Sequence, residues 1–74
     1  MKSLEIFDVV ALIVDLPGEN LLCGQVGTIV EVYNNGEAFE IDFVDREGFT
    51  YALLTLQPEQ LMPLYHEPIK KVAV

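Results

Sequence analysis

The sequence predicts an all-β domain in which five short strands form a single small barrel. Short segments rich in β-branched and aliphatic residues alternate with turn signals, and no segment keeps a helical apolar period beyond about ten residues. The chain has 74 residues, of which 51% are hydrophobic. This length suits one domain, and the hydrophobic content is too high for a disordered chain despite a net charge of −8.

The first predicted strand spans Asp8 to Leu16, a segment dense in valine and leucine. It is followed by a Pro-Gly-Glu-Asn cluster at 17–20. Proline fixes φ, whereas glycine and asparagine tolerate positive φ, so this cluster suits a loop. Gly24 and Gly27 then permit a tight bend into a second strand over Thr28 to Tyr33.

A β-hairpin is expected around Asn35-Gly36, because this dipeptide fits the type I′ turn, whose two central residues both need positive φ. The turn sets the register of the second and third strands. The buried face would then pair Val32 with Phe39, Val30 with Ile41, and Thr28 with Phe43. The outer face would pair Tyr33 with Ala38, Glu31 with Glu40, and Ile29 with Asp42.

A second hairpin is predicted at Asp45 to Gly48, leading into a fourth strand over Phe49 to Leu56. Strict alternation buries Ala52, Leu54 and Leu56 and exposes Phe49, Tyr51, Leu53 and Thr55. Residues 57–60 suit a single 3₁₀ turn, and residues 61–64 suit a short edge strand that closes the barrel. The expected organisation is an N-terminal segment at 1–7, the barrel at 8–64 and a C-terminal tail at 65–74.

Composition argues against several classes of protein. Cys23 and His66 are the only cysteine and histidine, so one chain offers neither a disulfide nor a Cys and His metal cluster. The sequence has no catalytic triad, phosphate-binding glycine loop or comparable motif, so we expect no enzyme activity and no cofactor. Carboxylates at Asp42, Asp45 and Glu47 do not follow the ligand spacing of an EF-hand, so a plain turn is expected there and no metal site.

The longest apolar run, Val9 to Val14, is far shorter than the roughly 20 residues of a membrane span, and the N-terminus lacks signal-peptide features. We therefore expect a cytoplasmic protein without a membrane partner. Between Asp8 and Leu64, ten acids stand against Arg46 alone, which gives this body a net charge of −9. Such a charge opposes binding to nucleic acid and favours a basic protein as partner.

The segment from Gly24 to Val32 resembles the glycine-turn-strand segment of SH3-like barrels, including KOW modules and small docking subunits of photosynthetic complexes. The whole order of motifs is similar to a family of short bacterial proteins, common in cyanobacteria, catalogued as domain of unknown function 4926. The motifs are DVVAL at 8–12, DLP at 15–17, GQVGT at 24–28, VEVY at 30–33, FVD at 43–45 and LLTL at 53–56. This resemblance implies an SH3-like barrel over roughly residues 8–64 and carries no established chemistry.

Members of that family resemble partners in small gene pairs of toxin-antitoxin type, which implies a neutralising role. The KOW pattern expects basic residues around the turn and second strand, where this chain has Glu31 and Asn34. We therefore predict a non-catalytic, acidic, antitoxin-like module that binds a basic protein. The alternatives are an accessory docking subunit of a larger complex and a KOW-like module associated with nucleic acid. The sequence leaves the oligomeric state open.

The outer face of the predicted sheet mixes apolar and aromatic groups with carboxylates. Tyrosines are favoured interface anchors, and carboxylates complement lysine and arginine on a partner. We predict that this face binds the partner through Ile29, Glu31, Tyr33, Glu40, Asp42, Tyr51 and Leu53. The alternative is that the curvature of the barrel, a loop or the C-terminal tail covers the patch.

Overall fold

The computed structural model describes residues 3–65, which form one antiparallel sheet of five strands. No α-helix occurs within these residues, so the predicted all-β class is confirmed. The strands are β1 (Val9–Leu12), β2 (Val26–Tyr33), β3 (Ala38–Val44), β4 (Thr50–Leu56) and β5 (Leu61–Pro63). Apart from Tyr65, the predicted tail lies outside the described residues, as do Lys2, His66, Lys70 and Lys71.

The strand order across the sheet is β4-β3-β2-β1-β5. β1 lies between β2 and β5 and pairs with both, which brings the last strand beside the first. β4 and β5 are the two edges of this order, and no ladder joins them within residues 3–65. Closure of the sheet into a barrel therefore stays a prediction.

The predicted first strand is too long at its C-terminal end, because β1 stops at Leu12. The chain then enters a small loop that is closed by two backbone hydrogen bonds between Leu16 and Leu21, of 2.8 and 3.1 Å. Within the loop, Pro17–Glu19 form a 3₁₀ turn that ends at Asn20, whose φ is 59°. The predicted loop cluster at 17–20 is thus confirmed. A second 3₁₀ turn, Pro58–Gln60, precedes β5 as predicted.

The turn between β2 and β3 is longer than predicted. Asn34, Asn35 and Gly36 all have positive φ, of 49°, 59° and 103°, and the Gly36 N–H donates to the Tyr33 carbonyl at 3.0 Å. The residues at the centre of this turn are therefore Asn34 and Asn35, one position earlier than expected. The pairing beyond the turn is nevertheless the predicted one, with Tyr33 opposite Ala38.

A β-bulge in β2 changes the register that the hairpin was expected to keep. Glu31 lies opposite Glu40 as predicted, but Ile29, rather than Val30, lies opposite Ile41. Val30 is the extra residue of the bulge, and an extra residue reverses the facing of every position beyond it. The predicted pairs of Val30 with Ile41, Thr28 with Phe43 and Ile29 with Asp42 are therefore wrong.

The bulge brings Ile29 into the core, where it is 0% exposed, while Val30 is half-buried. Phe39, Ile41 and Phe43 are buried as predicted, and Leu54 packs against them while partly exposed. The buried hydrophobic residues come from all five strands and from the loop after the first 3₁₀ turn. They are Val10, Ala11, Leu12, Leu21, Ile29, Phe39, Ile41, Phe43, Leu56 and Leu61.

Gly27 lies inside β2 and not at a bend, which was its predicted role. A Cβ atom at this position would lie 2.5 Å from Ile41 Cγ2 and 3.1 Å from the Asp42 carbonyl oxygen. Glycine is therefore required for the close approach of β2 to β3. The bend before β2 depends instead on Gly24, whose φ is 99°.

The bulged register predicts that truncation of two neighbouring apolar residues has different effects on stability. Ile29→Ala removes a fully buried side chain and should lower the free energy of unfolding by about 2–5 kcal/mol. Val30→Ala should cost less than about 1.5 kcal/mol, because Val30 keeps contact with water and lies outside the tight core. Chemical denaturation of both variants measures the difference. Equal losses, or a larger loss for Val30→Ala, would contradict the bulged register.

Candidate protein-binding face

The outer side of β2, β3 and β4 carries three carboxylates, and we call it the acidic face. Two rows of opposed residues cross it. One row joins Glu31, Glu40 and Thr55, and the other joins Thr28, Asp42 and Leu53. Tyr33 borders the first row on β2, and Thr50 borders the second on β4. Five of the seven predicted binding residues therefore lie together: Glu31, Tyr33, Glu40, Asp42 and Leu53.

Ile29 is not part of this face, although it was predicted to be. Strict alternation along β2 put Ile29 beside Asp42, but the bulge at Val30 turns the Ile29 side chain inward. Thr28 occupies the place opposite Asp42 instead. The face is consequently more polar than expected, because a hydroxyl replaces a large aliphatic group.

Tyr51 was also predicted to flank the carboxylates, and a second bulge moves it away. Phe43 pairs with Ala52 and Val44 pairs with Thr50, so Tyr51 is the extra residue. Its ring lies 6.2 Å from the ring of Phe43, and Phe43 points into the core. Tyr51 therefore lies on the Phe43 side of the sheet, where its hydroxyl accepts a hydrogen bond from Gln25 Nε2 at 3.0 Å.

Hydroxyl groups on the face hold the Glu40 carboxylate. Thr55 Oγ1 donates to Glu40 Oε1 at 2.6 Å, and the Tyr33 hydroxyl lies 3.5 Å from the same oxygen, at the outer limit of a hydrogen bond. Both contacts end on Oε1. The second oxygen, Oε2, retains its capacity to accept a hydrogen bond from a partner.

Asp42 is held in the same way from β4. Thr50 Oγ1 donates to Asp42 Oδ1 at 2.7 Å. Thr50 and Thr55 were not among the predicted site residues. The available signal was that a threonine can donate to a carboxylate on the neighbouring strand, either directly opposite, as Thr55 does to Glu40, or diagonally, as Thr50 does to Asp42. Each carboxylate of β3 thus has a short hydrogen bond that limits its rotamers.

Tyr33 experiences the negative charge of the face. Partial burial, the charges of Glu40 and Glu31, and the hydrogen bond to Glu40 together raise the pKa of the Tyr33 phenol above its ordinary value. All of these disfavour the phenolate, so the group stays neutral and able to donate throughout the physiological range. Tyr33 is 38% exposed, so its ring is accessible to a partner.

Asp45, which was expected to lie in a plain turn, supports the turn between β3 and β4. Its Oδ1 accepts hydrogen bonds from the backbone N–H groups of Glu47 and Phe49, at 2.9 and 3.0 Å. An aspartate that bonds its own following backbone is a common turn device. Within residues 3–65, no group of three or more His, Cys, Asp or Glu side chains is placed to hold a metal ion.

Two further features lie apart from the acidic face. Cys23 is exposed, and its backbone N–H donates to Asp15 Oδ1 at 2.8 Å. A cleft of about 460 Å³ lies between the β2–β3 turn and β5, with Leu4, Val32 and Phe39 in its wall. None of the described residues that line this cleft carries an ionisable side chain.

The model of one protein family, described as domain of unknown function (DUF4926), matches residues 6–63. The chain belongs to this family. The DUF4926 region contains all five strands and every residue of the acidic face. No curated protein and no solved structure matches the chain. Among the described residues, no helix of the DUF4926 domain is long and apolar enough to cross a membrane.

Titration of Tyr33 tests whether the carboxylates surround it in solution. Glu40→Gln should lower the pKa of Tyr33 towards that of a free tyrosine, Glu31→Gln should lower it less, and Glu19→Gln, in the first 3₁₀ turn, should leave it unchanged. Because folding raises this pKa, the contribution of Tyr33 to stability is present below the ordinary value of 10.0 and is lost as pH rises through the folded-state pKa.

The readout is the ring ¹³C shift of Tyr33 followed by NMR from neutral to strongly alkaline pH. The wild-type midpoint should lie above the ordinary tyrosine value, and Tyr33→Phe should remove that resonance and no other titration. An unshifted midpoint in the wild type, or equal effects of Glu40→Gln and Glu19→Gln, would contradict the arrangement of charges around Tyr33.

Proposed function

We propose that this protein is a non-catalytic, acidic protein-binding module whose acidic face captures a basic protein. The most concrete form of this role is that of an antitoxin-like partner that neutralises a basic protein in the cytoplasm. The opposed pair of Glu31 and Glu40 carries the proposal. Like charges directly opposite each other across strands are destabilising, and a lysine or arginine placed between them would replace repulsion with two favourable pairs.

The groups around the carboxylates support binding over mere solvation. Thr55 and Thr50 hold one oxygen of Glu40 and one of Asp42, so a partner would meet carboxylates that are already oriented. Preorganised groups bind more tightly because less conformational entropy is lost on association. Tyr33 offers an aromatic ring beside these charges, suited to stacking against an arginine.

Long-range electrostatics favour the same class of partner. The net charge of −9 over Asp8 to Leu64 attracts a basic protein before contact and accelerates association, most strongly at low ionic strength. The same charge repels a phosphate backbone. The charge of the body therefore favours binding of a basic protein over a KOW-like role in nucleic-acid binding. An accessory subunit that docks a partner onto a larger complex would use the same acidic face. This alternative differs from the antitoxin-like role only in the identity of the protein that the face binds.

Two variants on the acidic face distinguish the contribution of charge to partner binding from the contribution of the aromatic contact. Glu40→Gln removes the opposed charge but leaves an amide oxygen that can still accept from Thr55, so the free domain should be as stable as the wild type or more stable by a few tenths of a kcal/mol. The same variant should slow association with a basic partner. Tyr33→Ala should weaken binding by about 1–2 kcal/mol, mainly through faster dissociation, as expected for an aromatic anchor.

The measurement combines thermal melts of the free domain with surface-based kinetics against the purified product of the adjacent gene, and a growth assay for its neutralisation. Glu19→Gln, which removes the same charge outside the face, is the matched control and should change the association rate much less than Glu40→Gln. The proposal fails if the two glutamine variants have equal effects on association, or if the wild type neither binds nor neutralises the basic protein. Co-purification with a large assembly would favour the docking role, and salt-sensitive RNA binding would favour the KOW-like role.

A further inference from the structure

The two edges of the sheet differ in how they are protected from pairing with another strand. β5 has three residues and ends in Pro63, and short strands and proline are common devices that block such pairing. β4 has seven residues and contains neither proline nor a charged side chain, and its bulge at Tyr51 lies near its N-terminal end, so that residues 52–56 remain regular. A long uncharged edge strand is a template for another strand.

Within residues 3–65, the side of β4 that faces away from β3 has no strand partner. Residues 50–56 pair on one side with β3, and the backbone bonds of residues 3–65 outside the strand ladders involve none of them. In an edge strand, alternate N–H and C=O groups point away from the sheet and remain without a strand partner. Leu53, in the middle of β4, is 53% exposed, and its neighbours Ala52 and Leu54 are half-buried.

We propose that β4 pairs antiparallel with β4 of a second copy of this chain, centred on Leu53. A two-fold axis at this residue places Leu53 beside its own copy and Ala52 beside Leu54, and the bulge at Tyr51 ends the regular pairing on either side of these residues. The two sheets then continue into one, and the half-buried Ala52 and Leu54 lose contact with water.

The absence of charged residues along β4 favours a second copy of this chain as the partner at this edge. In a two-fold interface each side chain meets itself or a near neighbour, so a charged residue on the pairing strand would face a like charge. No residue from Phe49 to Gln57 is charged, although acids are frequent elsewhere in the body. A strand that recruited a basic partner would instead be expected to carry carboxylates.

The carboxylates of β3 do not oppose this pairing at physiological salt. Glu40 and Asp42 lie one strand inside the edge, so the two β3 strands of a dimer are three strand spacings apart, about 14 Å. This exceeds the screening length of about 8 Å. The two-fold axis is perpendicular to the sheet, so both acidic faces lie on the same side of the dimer.

Sedimentation measurements of the wild-type chain from micromolar to millimolar concentration test the association. We expect a monomer–dimer equilibrium that shifts towards dimer when salt is raised from about 0.05 to 0.5 M, because salt screens the repulsion between two acidic copies. Capture of a basic partner by the acidic face would respond to salt in the opposite direction. Leu53→Lys should raise the dimer dissociation constant by about tenfold or more while leaving the melting temperature of the monomer nearly unchanged.

Cysteine cross-linking tests the register. In a Cys23→Ser background, Leu53→Cys places two thiols on directly opposed residues and should form a disulfide dimer on mild oxidation. Thr55→Cys is the matched control, because a two-fold axis at Leu53 places residue 55 about 13 Å from its own copy along the strands, too far for a disulfide. The circular dichroism spectrum of each variant verifies that it folds.

Three outcomes would overturn the proposal. One is a wild-type chain that stays monomeric at millimolar concentration in high salt. Another is equal cross-linking of Leu53→Cys and Thr55→Cys, which would indicate random collision. The third is protection of the β4 amides from hydrogen exchange only when a different protein is added, which would assign the edge to a heterologous strand.

Discussion

A single extra residue in β2 decides which side chains of this small sheet face the core and which face solvent. Val30 interrupts the alternation, so Ile29 packs against the core while Thr28 and Glu31 both point outward. Without the bulge, one of these two polar residues would have to face the core, because they are an odd number of positions apart. Burying an unpaired hydroxyl or carboxylate would cost more than the small disruption of the ladder.

The same constraint operates on the other side of β3. Thr50 and Thr55 are also an odd number of positions apart, and the bulge at Tyr51 lets both reach the carboxylates of β3. β3 itself alternates regularly, with Phe39, Ile41 and Phe43 inward and Glu40 and Asp42 outward. Two irregular strands thus adapt to one regular strand, and the outcome is a polar face in which each β3 carboxylate has a hydroxyl donor.

The sequence predicted those features that depend on local chemistry. Hydrophobic alternation located β3, the Asn-Gly signal located the first hairpin, and Pro58 located the second 3₁₀ turn. Strict alternation failed for Ile29 and Tyr51, because a bulge depends on the sum of contacts across both faces of a strand pair. The odd spacing of polar residues along β2 and β4 was the available signal. It becomes informative once β3 is recognised as the regular strand between β2 and β4.

Cross-strand nuclear Overhauser effects between β2 and β3 test the central role of the bulge most directly. Residues directly opposite in an antiparallel pair bring their Cα atoms to about 4.5–5.5 Å, within range of this measurement. The bulged register predicts backbone contacts of Ile29 with Ile41 and of Glu31 with Glu40 in the same spectrum. Contacts of Val30 with Ile41 and of Ile29 with Asp42 would instead show a regular ladder, place Ile29 on the acidic face and contradict this account.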